Sequence, residues 1–125
     1  MSFFRRGDAP GSIGSRMEAH AAQFLQKAGL KVATRNFRSR RGEIDIVAWD
    51  GDTLVFVEVR YRRNSRFGSA GDSVDRRKQR KLMSAAESYL QAHKLDCPCR
   101  FDVVAIEGED GQVEWITGAF AGETS

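Results

Sequence analysis

Residues 42–62 read Gly42-Glu43-Ile44-Asp45-Ile46-Val47-Ala48-Trp49-Asp50-Gly51-Asp52-Thr53-Leu54-Val55-Phe56-Val57-Glu58-Val59-Arg60-Tyr61-Arg62. Two runs rich in β-branched and aromatic residues flank an Asp-Gly pair, a strong short-range signal for a β-hairpin. In the second run Leu54, Phe56, Glu58 and Arg60 fall on one face, and Val55, Val57 and Val59 fill the other. A strand this apolar is covered on both sides, so a carboxylate inside it needs a partner.

The flanking sequence supplies the covers. Upstream, Met17, Ala21, Phe24, Leu25 and Ala28 recur at helical spacing from Ser15, and Gly29 supplies the stop. Lys31 to Phe37 reads weakly as a strand. Downstream, residues 62–72 form a basic, glycine-containing loop. A long helix is predicted from Val74 to His93, capped by Asp72 or Ser73, with Pro98 blocking its continuation. Phe101–Ile106 is a further strand, Glu109-Asp110-Gly111 a turn, and Val113–Ile116 a last short strand. The expected fold is α/β, a mixed central sheet flanked by helices in the order α-β-β-β-α-β-β. The expected organisation is a flexible leader over 1–13, one domain over 14–118 and a tail over 119–125.

Composition narrows the classes. The chain has 125 residues, 41% of them hydrophobic, which suits one domain with a core and disfavours intrinsic disorder. Its apolar stretches fall far short of the roughly 20 residues of a membrane span. The start, Met-Ser-Phe-Phe-Arg-Arg-Gly, lacks the apolar core of a secretory signal. Two cysteines are too few for a disulfide scaffold, so the expected location is the cytoplasm, with no membrane partner. The net charge of +3 conceals an asymmetry: residues 35–81 hold 13 Lys and Arg against 7 Asp and Glu. Arginine makes up 15 of the 20 basic residues and suits bidentate phosphate contacts, pointing to nucleic acid as partner. The plain alternative is a solvated charged surface.

The carboxylates Glu43, Asp45 and Glu58 raise a register question. With Asp50-Gly51 as a two-residue loop, 49 pairs with 52, 45 faces 56 and 43 faces 58, and the three acids project from one side. A three-residue loop pairs 44 with 58 and turns Asp45 away. Clustered acids need something cationic among them: Arg60, a basic residue from elsewhere, or a divalent metal. Oxygen donors select Mg²⁺ or Mn²⁺ rather than Zn²⁺. The competing reading is a solvent-facing acidic strip neutralised by arginines. On the second helix Lys78 falls in the apolar stripe of Val74, Leu82, Ala85, Ala86 and Tyr89, where it either snorkels outward or meets an anion. Glu18 fits a capping box with Ser15, which explains it without function. His93, Cys97 and Cys99 have the residue types of a zinc site but lack an evident fourth ligand. Asp102 has a candidate partner in Arg100.

Taken in order, Glu18, Gly42-Glu43-Ile44-Asp45 and Phe56-Val57-Glu58-Val59-Arg60 resemble the PD-(D/E)XK nuclease superfamily. With Asn36-Phe37-Arg38, Phe67-Gly68, Lys78 and Arg100-Phe101-Asp102-Val103-Val104, the chain is similar to the YraN-type family of small bacterial proteins. The resemblance covers about residues 14–107. It implies a restriction-endonuclease-like core, with Asp45 and Glu58 as ligands of Mg²⁺ or Mn²⁺ and Glu18 as a further acidic contributor. The superfamily's lysine, two residues after the second acid, is Arg60 here; arginine keeps the charge but cannot act as a base. Lys78 is expected to take part of that role. The function implied is metal-dependent hydrolysis of DNA phosphodiester bonds, at branched or damaged structures by analogy with junction resolvases. The alternative is a non-catalytic nucleic-acid-binding module. Arg35, Arg38, Arg40, Arg41, Arg62, Arg63 and Arg66 are the expected backbone contacts. A homodimer, or a protein partner supplying specificity, is compatible with so short a chain.

Overall fold

The structure is a computed structural model that describes residues 13–62, 74–108 and 111–120. The elements are α1 (Ile13–Lys27), β1 (Lys31–Ser39), β2 (Gly42–Asp50), β3 (Thr53–Arg62), α2 (Arg76–His93), β4 (Cys99–Glu107) and β5 (Gln112–Phe120), in the expected order. The strands form one sheet in the order β1-β2-β3-β4-β5. β3 and β4 are parallel, joined through α2, and the other neighbours are antiparallel.

Among the described residues each face of the sheet carries one helix, which gives three layers. Ala21, Ala22 and Leu25 of α1 bury against Ile46, Val55, Val57, Val59 and Val104. Leu82, Ala85, Ala86 and Tyr89 of α2 bury against Ile44, Val47, Leu54, Phe56 and Phe101. The alternation in β3 is as expected, with its valines under α1 and Leu54 and Phe56 under α2. The valine, leucine, isoleucine and phenylalanine side chains covered in this way each contribute about 1.5–3 kcal/mol by leaving water.

Several boundaries differ from expectation. α1 begins at Ile13, so Ser15 lies inside the helix and cannot cap it, and the capping box with Glu18 does not form. α2 begins at Arg76 and is capped by Asp75, whose carboxylate accepts the Lys78 N–H at 2.8 Å. β1 continues to Ser39 and β5 to Phe120, where Phe120 stacks on Phe101 with ring centroids 4.8 Å apart. Expectations for residues 1–12, 63–73, 109–110 and 121–125, and for the side chain of Arg62, lie outside the described residues.

The register of the central hairpin is corrected. Asp50 pairs with Thr53, Trp49 with Leu54 and Ile46 with Val57, so the loop is Gly51-Asp52 rather than Asp50-Gly51. Gly51 has φ +61°, and a hairpin turn with glycine at its first central position needs that left-handed value there. The slide moves every pairing by two positions, so Glu43 does not oppose Glu58. An even slide preserves which residues share a face, whereas a three-residue loop would have reversed it.

One irregularity decides where the acids go. In β2, Ile46 and Ala48 face α1 and Val47 faces α2, yet Ile44 also packs on the α2 side. Alternation therefore breaks at Asp45. The neighbouring strand breaks at the same level: Asn36 has φ +56°, between the pairs Arg35–Ile46 and Phe37–Ile44. Arg35 accordingly reaches α1, while Phe37 packs edge-on against Tyr89 of α2.

Candidate functional site

Glu58 is 2% exposed on the α2 side of β3. Two cations approach the same oxygen, Oε2: Lys78 Nζ at 3.4 Å and Arg60 Nε at 3.9 Å. Both are ion-pair contacts without hydrogen-bond geometry, because Oε2 accepts no hydrogen bond and Arg60 Nε and Nη2 donate none. The helix explains Lys78. It stands one turn before the buried Leu82, so the stripe that anchors α2 also aims the lysine at the sheet. Lys78 therefore meets an anion rather than snorkelling to solvent.

Asp45 is 3% exposed, and its Oδ2 accepts the Val59 N–H at 2.8 Å. The β2–β3 ladder stops at Ile46–Val57, and the carboxylate of Asp45 bonds the β3 backbone just beyond that point. Asp45 and Glu58 thus meet the same short segment of β3. Glu18, 1% exposed, sits at the neighbouring break in β1, with Oε1 accepting Arg35 Nε at 2.6 Å and Asn36 Nδ2 at 3.2 Å. With Asp45 and Glu58 buried, the reading of a solvent-facing acidic strip does not hold for these two. Glu43 stands apart from them, half-buried at the wall of a cleft.

That cleft, about 670 Å³, lies between the tip of the β1–β2 hairpin and the start of α2. Arg38, Arg40 and Arg41 line one side, and Arg77, Lys78 and Lys81 the other. Arg35 is not among the lining residues; its guanidinium is held by Glu18. Arg62, Arg63 and Arg66 fall outside the described side chains. Arg77 and Lys81 were not singled out from sequence, although their i, i+4 spacing in a basic run marks one helix face. Asp75 stands at the same end, its pKa held below the ordinary carboxylate value. The main cause is its bond from the Lys78 N–H, opposed by slight desolvation and aided by the charges of Arg77 and Arg60.

Among the described residues no three His, Cys, Asp or Glu side chains form a metal-holding group. The zinc reading of the cysteines gains nothing: His93 stacks on Tyr89, and desolvation pushes the Cys99 thiol up to about 11, with Cys97 adding to the shift. Asp45 and Glu58 do suit a hard divalent cation. Both offer carboxylate oxygen, Glu58 Oε2 is a buried anionic atom that accepts no hydrogen bond, and Mg²⁺ commonly uses one or two carboxylates while keeping waters. Asp102 is a different kind of acid, saturated by Arg100, Trp115 and the Gly118 N–H.

Residues 17–106 match UPF0102, described as an uncharacterised protein family. A UPF0102 protein of Pseudomonas syringae pv. syringae (strain B728a) is 54% identical over 112 residues, covering 86% of this chain and 91% of the relative. A UPF0102 protein of Stutzerimonas stutzeri (strain A1501) is 52% identical over 113 residues, covering 87% and 94%. One from Dechloromonas aromatica (strain RCB) is 48% identical over 119 residues, covering 95% and 97%.

Proposed function

The chain belongs to the uncharacterised bacterial family UPF0102, and we propose that it is a metal-dependent phosphodiester hydrolase acting on DNA from a restriction-endonuclease-like core. One observation carries the reading: a buried glutamate beside a buried aspartate, with Lys78 and Arg60 converging on the glutamate's Oε2 at the edge of a basic cleft. Buried titratable groups with specific partners beside a cleft are functional-site candidates on physical grounds.

Asp45 and Glu58 would hold Mg²⁺ or Mn²⁺, which supplies a water of lowered pKa and neutralises a phosphate oxygen. Arg60 brings buried N–H donors without acceptors, suited to the non-bridging oxygens of a phosphate. Its permanent charge stabilises the negative charge that builds up on the phosphoryl oxygens, and it takes no proton. Lys78 adds a point charge from the helix. Glu18 acts one step back, holding Arg35 and Asn36 where β1 breaks beside Asp45. In the net reaction water oxygen bonds to phosphorus, one P–O ester bond breaks, and the leaving oxygen gains a proton.

A second reading takes the same contacts the other way. Lys78 and Arg60 already neutralise Glu58, as in a domain that binds nucleic acid without cutting it. Titrating Mg²⁺ and Mn²⁺ over labelled branched and linear DNA separates the two. The hydrolase reading expects metal-dependent cleavage that falls at least a hundredfold in Asp45→Asn/Glu58→Gln. Metal-independent binding that survives the double substitution, with no cleavage by the wild type, overturns it in favour of the binding module.

A further inference from the structure

We propose that the cleft between the β1–β2 hairpin tip and α2 is a track for one sugar-phosphate strand, with Arg77 and Lys81 as binding residues. The proposal rests on the hydrolase reading only for what lies at the track's end; binding itself is independent of it.

Charge is the first argument. Six cations line the cleft against two carboxylates, Glu43 and Asp75. Asp75 is already committed to capping α2 through the Lys78 N–H. Lys78 is paired with Glu58, and the five other cations still outnumber the two carboxylates among the described residues, an excess that suits a polyanion. Arrangement is the second. At about 1.5 Å per residue, Arg77 and Lys81 stand about 6 Å apart along the helix, comparable with the step between successive phosphates of an extended strand. Lys78, on the same wall, reaches Glu58 Oε2 at 3.4 Å, so the row of cations runs into the candidate site.

Shape is the third. A Cβ placed on Gly42 would lie 3.1 Å from the Lys81 carbonyl oxygen, so the two walls already meet at the base. Within the arginine-bearing tip, Ser39 Oγ donates to the Gly42 carbonyl at 3.1 Å and accepts the Arg41 N–H at 3.2 Å. A cleft of about 670 Å³ with walls joined at the base has room for one sugar-phosphate backbone and needs little ordering to bind it. Among the described residues the lining includes no aromatic side chain and one apolar one, Leu82. Contacts therefore go to phosphates, and the track is indifferent to base sequence.

The test is fluorescence anisotropy in EDTA with short labelled single strands of DNA and RNA and a blunt duplex of the same sequence. Single strands should bind more tightly than the duplex, and DNA and RNA should agree within about threefold, because phosphate contacts ignore the 2′-hydroxyl. Arg77→Ala/Lys81→Ala, both at exposed positions, should weaken binding about tenfold or more. It should also flatten the dependence of log affinity on log salt by about 0.7 per lost contact. Arg77→Glu/Lys81→Glu should weaken binding further, while circular dichroism and melting stay those of the wild type. Duplex binding equal to single-strand binding, an unchanged double variant, a tenfold preference between DNA and RNA, or equal competition by polyglutamate overturns the proposal. The two readings fail separately. Strand binding as expected with no cleavage in Mn²⁺ removes the hydrolase and leaves the track. Cleavage that depends on Asp45, with normal binding by the double variant, removes the track and leaves the hydrolase.

Discussion

Asp102 and Glu58 stand on neighbouring parallel strands, one residue apart in register, since Val57 pairs with Asp102 and Glu58 with Val103. Both are at most 2% exposed, so burial does not distinguish them. Their hydrogen bonding does. Asp102 Oδ1 accepts Arg100 Nε and the Gly118 N–H, both at 2.9 Å, and Oδ2 accepts Arg100 Nη2 at 3.1 Å and Trp115 Nε1 at 2.9 Å. The bonds from Arg100 raise the guanidinium's pKa still further, against its own desolvation and with help from Asp50. Glu58 Oε2 has two cations nearby and accepts no hydrogen bond. A satisfied buried carboxylate is architecture: Asp102 secures the irregular stretch of β5 where the register shifts opposite Phe101 and Val103. An under-satisfied one calls for a further explanation, and the ligand proposed above would supply it.

The comparison can be broken by substitution, and the largest effect belongs to the acid whose hydrogen bonds are complete. Asp102→Ala strands the buried donors of Arg100, Trp115 and Gly118 and should cost about 3–5 kcal/mol, a large part of a small domain's stability. Urea denaturation reads this directly, and a loss below about 1 kcal/mol would place Asp102 with the dispensable surface acids. Glu58→Gln should cost less, about 1–2 kcal/mol, because only ion-pair contacts to Oε2 are lost. If it destabilises as much as Asp102→Ala, the contrast between the two acids fails.

The smallest effect sharpens the electrostatics of the cleft. Asp75 has a depressed pKa in the fold, so its contribution is complete above the unfolded value near 3.8 and disappears as pH falls through the folded one. Asp75→Ala should lower the melting temperature by a few degrees at neutral pH, and by less in strong acid, where the wild type has lost the same contribution. An equal deficit at both pH values contradicts a charged cap. Asp75→Asn keeps a capping oxygen and should remove most of the pH dependence.

Legibility followed the range of the interactions involved. The order of elements, the two faces of β3 and the placement of Lys78 all follow from periodicity, which is local. The turn was displaced by one residue because both Asp50-Gly51 and Gly51-Asp52 are acceptable as sequence, and the φ of +61° at Gly51 selects the second. Glu18 read as a cap because three residues of context favour Ser15; the partners that correct this, Arg35 and Asn36, lie 17 and 18 residues away. Arg77 and Lys81 were hidden for a similar reason. A basic helix face has no meaning until something with like charge is placed opposite it.

Sequence alone determined that this chain is a layered α/β domain of its family, with two acids on a buried hairpin and a basic flank. These properties rest on side-chain period, apolar content and residue order, which any chain displays before it folds. Only the tertiary structure decided which acids remain incompletely bonded, which arginine is spent on Glu18, and which cations share a cleft. Those outcomes depend on the coincident breaks at Asn36 and Asp45 and on the approach of Gly42 to the Lys81 carbonyl. The first is fixed by pairing across a hairpin and the second by packing between segments far apart in sequence, and neither exists until the chain has folded.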